Sequence, residues 1–131
     1  MVERVSGSPA PYRSVDGISC DVPFVDVFKL LGKRWNGMII VALLQRPARF
    51  NELAKVISGI TDGILTDRLR ELMAAKLVER QLADGPTTAV LYRLTPVGED
   101  LRGAFKELRD WAARNDVGRR DALDDGTSTA T

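Results

Sequence analysis

Apolar residues recur along much of this chain at helical spacing, and the interruptions of that spacing mark its elements. Over residues 21–31, Val22, Phe24, Val25, Val27, Phe28, Leu30 and Leu31 occupy more than one side of a helical wheel, with Pro23 acceptable in a first turn. Such a helix is either buried all round or shared with a partner. Gly32-Lys33-Arg34 interrupts the pattern. Trp35, Met38, Ile39, Ala42 and Leu43 then recur at i, i+3, i+4, i+7, i+8, which predicts an amphipathic helix ending near Gln45, ahead of Pro47. Residues 48–50 read as a short extended link.

A second stripe, Leu53, Val56 and Ile57, predicts a short helix with Asn51 as its N-cap. Gly59 can leave that helix at positive φ, and Thr61 can cap the next one. In that next helix Leu65, Leu69, Leu72 and Met73 share one face, while Gly63, Asp67, Arg70 and Ala74 point the other way. A short helix, a glycine turn and a second helix with a polar outer face form the pattern of a helix-turn-helix, whose second helix lies in the DNA major groove.

Beyond it come two β-rich runs. Residues 77–83 and 89–95 read as strands around the turn Asp84-Gly85-Pro86-Thr87-Thr88, and a hairpin directly behind a recognition helix is a wing. Thr95-Pro96 then opens a helix, a capping hydroxyl followed by the residue that suits N1. It is predicted to run unbroken to about Asn115, some 19 residues or roughly 28 Å. Leu101, Phe105, Leu108 and Ala112 line one seam, with Val97, Ala104 and Trp111 beside it, and so long an apolar band is expected to pack against a second copy. The predicted fold class is mainly α with a small β-hairpin wing (α+β), a winged helix-turn-helix. Residues 1–19 are expected as a flexible arm, 20–115 as the domain with dimerisation helices at both ends, and 116–131 as a disordered polar tail.

Composition narrows the function. At 131 residues and 44% hydrophobic, the chain suits one domain with a core. No apolar run reaches the length of a membrane span, and a signal-peptide pattern is absent from the start, so a cytoplasmic, nucleoid-associated protein with no membrane partner is expected. There is no histidine, and the single Cys20 excludes an intramolecular disulfide. The commonest general base and the usual zinc ligands are thereby missing. With no nucleophile–base pair, phosphate loop or metal cluster in view, an enzyme is the weakest reading, and no cofactor or metal is expected. Net charge is only +1, but residues 29–93 hold eleven Lys/Arg against six Asp/Glu, and residues 116–131 hold two against four. Positive charge therefore gathers where the helix-turn-helix lies, as an electrostatic footprint on nucleic acid requires.

Several blocks in order now resemble one family. Cys20, then Leu31-Gly32-Lys33-Arg34-Trp35, then Arg49-Phe50-Asn51-Glu52-Leu53 are similar to the HxlR-type winged helix-turn-helix regulators, which are related to the MarR type. So are Gly59-Ile60-Thr61, Leu65-Thr66, Leu69-Arg70-Glu71-Leu72, Leu77-Val78-Glu79-Arg80 and Tyr92-Arg93-Leu94-Thr95-Pro96-Val97-Gly98. The resemblance implies a homodimeric bacterial transcription factor, repressor or activator, that pairs through its terminal helices. On that basis Val22, Phe24, Val25, Phe28, Leu101, Phe105, Leu108 and Trp111 are expected at the dimer interface. Some members of the family respond to electrophiles or oxidants through an N-terminal cysteine. The chain departs from the family at Asp62 and Gly63, where Gln and Lys are common, at Asp67, where an amide is common, and at Ala89, where the wing often carries a basic residue. Carboxylates there repel phosphate, although Asp can accept from cytosine N4.

The expected DNA contacts are Thr61, Asp62, Gly63, Thr66, Asp67 and Arg70 from the second motif helix, and Thr87 and Thr88 from the wing tip. Arg34, Arg49 and Asn51 are expected to position phosphates. Arg70 has two readings, a guanine or phosphate contact and a surface ion pair with Asp67 or Glu71. Cys20 also has two, a small apolar residue at a helix start and a sensor thiol beside a helix N-terminus, with Asp21 acting against the second. Trp35 and Trp111 fit a core or interface, or the lining of a small-molecule pocket. The partners expected are double-stranded DNA, a second copy and a small-molecule effector. The alternative from another class is a winged-helix protein–protein module, which Asp62, Asp67 and the missing wing charge at Ala89 favour.

Overall fold

Six helices and two small hairpins succeed one another along residues 14–82, 84–85 and 89–117, the part of the chain that the computed structural model describes. Strands β1 (Ser14–Val15) and β2 (Ile18–Ser19) pair antiparallel around Asp16 and Gly17, which sit at φ 52° and 86°. Two successive positive φ values make a tight primed turn, and Asp-Gly is its usual sequence. The arm expected over residues 1–19 thus ends in a hairpin. Residues 1–13, and residues 118–131 of the expected tail, lie outside the described residues.

Helix α1 (Val22–Leu31) has Pro23 in its first turn and no buried residue. In α2 (Arg34–Gln45) the buried positions are Asn36, Ile39, Ile40 and Leu43. The predicted stripe is therefore rotated: Met38 is 51% exposed, and a polar residue takes an inner place. Trp35 and Ala42 pack at the edge of the core.

Helix α3 (Phe50–Val56) starts earlier than Asn51 would allow as a cap. Arg49 is the N-cap residue, and its backbone N–H donates to Glu52 Oε1 at 2.9 Å, while Asn51 lies exposed in the first turn. Val56 is also corrected, being 68% exposed, because the helix stops there and Ile57 turns into the core with extended φ, ψ. Gly59 makes the turn at φ +89°. Thr61 caps α4 (Asp62–Ala74), its Oγ1 accepting the Ile64 N–H at 3.2 Å.

The end of α4 carries no glycine, yet it closes as a glycine-type C-cap. Lys76 takes φ +67°, the Leu77 N–H reaches Leu72 O and the Lys76 N–H reaches Met73 O, both at 3.0 Å. That turn delivers the chain to β3 (Val78–Leu82), which pairs antiparallel with β4 (Val90–Leu94) from Val78↔Leu94 to Leu82↔Val90. Ala48 adds a one-residue third strand through two backbone bonds to Tyr92, of 3.0 and 2.8 Å. The Val78–Leu94 pair is buried with Ile39, Ile40, Leu43, Leu53, Leu65, Leu69 and Leu72, whereas Leu82 is 65% exposed. The wing is rooted in the core and stands out from it.

Thr95 joins the wing to the helical C-terminal segment. Its Oγ1 accepts the Gly98 N–H at 3.1 Å and donates to Lys76 O at 2.7 Å. The helix it caps is not continuous: α5 (Pro96–Glu99) gives way at Asp100 and Leu101 to α6 (Arg102–Asn115). Just ahead of this break Gly98 is buried where a Cβ would stand 2.4 Å from Leu77 O and 3.1–3.2 Å from the Leu94 side chain. Gly98→Ala is expected to destabilise the fold by about 1–3 kcal/mol through this overpacking. Gly103→Ala, with nothing within 4 Å of its Cβ, is expected to stabilise by about 0.5–1 kcal/mol. Urea unfolding of both variants reads the difference.

Candidate nucleic-acid interface

The packing that buries one side of α4 also fixes what the other side offers. Leu65, Leu69 and Leu72 are fully covered, and Thr61, Asp62, Gly63, Asp67 and Arg70 are exposed, with Thr66 half-buried at the border. Gly63, Asp67 and Arg70 fall at i, i+4, i+7, one stripe along the helix. A Cβ on Gly63 would meet nothing within 4 Å, so the backbone there is open to close approach.

Arg70 is free of the ion pairs that the sequence leaves open. Glu71 is held instead by Lys33 at 2.8 Å, by Arg68 at 2.9 Å and by Asn36 Nδ2 at 3.3 Å. Arg70 has no hydrogen bond or ion pair among the described residues. Its guanidinium faces solvent.

The other expected contacts stand on separate elements. Arg49 and Asn51 open α3, and Arg34 opens α2 with its guanidinium 4.4 Å over the Trp35 ring, a cation–π contact. All three are exposed, and among the described residues no side-chain hydrogen bond joins them to α4. Lys55, Lys76 and Arg80 are further exposed cations without an ion pair among the described residues. Arg46 and Arg93 are neutralised. The Arg46 guanidinium forks onto Glu52 at 3.2 and 3.3 Å, and with the Arg49 N–H it holds the Glu52 carboxyl below the usual glutamate range. Arg93 bridges across the wing to Glu79 at 3.4 Å and donates to Gln81 at 2.8 Å. Thr87 and Thr88 lie outside the described residues.

One cluster is not among the contacts expected from the sequence. Asn36 is fully buried and donates both to Leu30 O at 2.9 Å and to Glu71, while its Oδ1 has no partner among the described residues. An unsatisfied buried acceptor costs about 1–3 kcal/mol. The hydrogen bond from Lys33 first, then those of Asn36 and the charge of Arg68, hold the Glu71 carboxyl below its ordinary range against the burial that raises it. The signal for it is an amide set between Trp35 and Ile39, where the helical period asks for an apolar residue.

Of the expected interface residues, Phe24 and Phe28 are 62% and 64% exposed with rings stacked 6.4 Å apart, and Leu108 and Trp111 are 59% and 48% exposed. Val22 and Val25 are half-buried. Leu101 and Phe105 are half-buried and pack against the core of their own chain. Cys20 is exposed, next to the α1 N-cap residue Asp21. No helix among the described residues is long and apolar enough to cross a membrane.

Comparison with known proteins agrees with this architecture. The HTH-type transcriptional regulator YodB of Bacillus subtilis is 44% identical over 85 residues, 65% of this chain and 76% of that protein. The solved reduced form of YodB superposes with a TM-score of 0.65 at 40% identity, covering 71% of this chain and 91% of that one. The redox regulator HypR in its reduced form gives 0.66 at 29% identity, over 79% and 98%. The sequence model described as HxlR-like helix-turn-helix matches residues 30–118, and the chain belongs to that family of transcriptional regulators.

Proposed function

We propose that the protein is a sequence-specific, homodimeric DNA-binding regulator of transcription that acts in the cytoplasm on the nucleoid. The observation that carries this reading is α4 itself, capped at Thr61, seated on three buried leucines, and open along Asp62, Gly63, Asp67 and Arg70. Two copies of α4 related by a twofold axis enter successive major grooves about 34 Å apart, on a pseudo-palindromic site. The wing, Thr87 and Thr88 included, meets the flanking backbone or minor groove. Arg34, Arg49 and Asn51 grip phosphates from the starts of α2 and α3.

Phosphate contacts supply most of the affinity in this arrangement, so binding falls steeply with salt. Selection of bound fragments from random duplex DNA tests it. Recovery of a two-half-site motif whose binding weakens linearly in log salt is the expected result. Capture of a protein partner with no duplex retained at low salt overturns it in favour of a protein–protein module.

A second reading concerns control by a small molecule or by oxidation of Cys20. Its support is the exposure of the Cys20 thiol and the kinship with YodB, whose solved structures include a quinone-bound and a diamide-treated form. Repeating the selection with and without an oxidant, on wild type and Cys20→Ser, tests it. A motif bound equally in all four arms removes Cys20 from the mechanism.

A further inference from the structure

Asn36 is the one polar residue among the fully buried side chains of the described residues, and packing does not account for it. A leucine of similar size would fill the same place without an unsatisfied acceptor. What leucine could not do is bridge. Asn36 Nδ2 donates at 2.9 Å to Leu30 O in the last turn of α1 and at 3.3 Å to Glu71 Oε1 late in α4. Lys33, between α1 and α2, closes on the same carboxylate at 2.8 Å, and Arg68 steadies it from one turn back at 2.9 Å. One α2 side chain thus touches the end of the helix that carries Phe24 and Phe28 and the helix that carries Arg70. Glu71 lies on the inner flank of α4, beside Arg70 on the outer one, and is itself only half-buried.

We infer that Asn36 is a positioning residue, which with Glu71 ties the C-terminal turn of α1 to α4 and fixes the pose in which α4 meets the duplex. The inference rests on the DNA-binding reading above.

Full-length wild type, Asn36→Leu, Glu71→Ala and Glu71→Gln test it on the selected operator. Asn36→Leu is expected to unfold at no lower denaturant than wild type and to remain a dimer, yet to bind the operator roughly 3- to 30-fold more weakly. Because no phosphate contact is removed, the slope of log affinity against log salt stays at the wild-type value. Glu71→Ala is expected to match Asn36→Leu. Glu71→Gln, whose amide oxygen still accepts from Asn36, recovers much of the loss. Wild-type affinity in both Asn36→Leu and Glu71→Ala overturns the inference alone, as does a loss that merely tracks the unfolded fraction. A wild-type chain that selects no duplex overturns the DNA reading and this inference with it.

Discussion

Phe28→Glu is expected to split the proposed homodimer and, with it, to remove tight operator binding. Phe24 and Phe28 stand one turn apart on a helix with no buried residue, and each is more than three-fifths exposed. Burial of a Phe side chain is worth about 1.5–3 kcal/mol, and a twofold interface loses it twice. A dimer dissociation constant raised by roughly 100-fold or more results from those two losses. The core of α2, α3, α4 and the wing does not include Phe28, so each separated chain should keep its fold. Sedimentation at micromolar concentration reads the assembly, and gel shift on the selected operator reads the binding. A single half-site hold, weaker by about 100-fold or more, is the expected signature of the freed chain. A Phe28→Glu chain that sediments as a dimer would show that α1 is not the seam.

The parts of this fold that are legible in the sequence are those where local chemistry and packing ask for the same residue. Thr61 and Thr95 cap because a side-chain oxygen just before a helix can accept an N–H left free in the first turn, and both do so here. Gly59 turns because the chain there needs φ of +89°, which glycine adopts without strain. The leucines of α4 fall inward because a helix seated on a core has one inward face. The structure departs from the local pattern where tertiary contact overrides it. Asn51 resembles a cap, but Glu52 reaches the Arg49 N–H and starts the helix earlier. Lys76 holds a left-handed φ without being glycine, since Leu72 and Met73 carbonyls accept the two N–H groups just past the helix. Periodicity alone joins α5 to α6, although the chain leaves the helix at Asp100 and Leu101 between them. Of the candidate interface, the exposed stripe of α4 is legible from helical spacing. The Asn36–Glu71 tie is not, since it joins the α1–α2 corner to a residue of α4 that lies 35 positions further on.

Arg70→Ala is expected to cost about 1–3 kcal/mol per half-site, or roughly 5- to 150-fold in operator affinity. Charge at the outer face of α4 sets this cost. Asp62 and Asp67 bring two carboxylates to it, and Arg70 is the cation that shares the stripe with Asp67. Lys33 and Arg68 are occupied by Glu71, so neither can stand in for it without leaving that carboxylate behind. Two forms of loss separate the two contacts open to a guanidinium. If Arg70 forks onto guanine O6 and N7, the alanine variant keeps the salt slope and accepts other bases at one position of each half-site. If it grips a phosphate, affinity falls alike for all sequences and the salt slope shrinks by about one per half-site. Competition binding with single-base operator variants at two salt concentrations distinguishes them. Unchanged affinity, slope and base preference together would mean that the stripe through Gly63, Asp67 and Arg70 does not face the duplex. The exposed cations Arg34, Arg49 and Arg80 would then be the first residues to replace in locating the face that does.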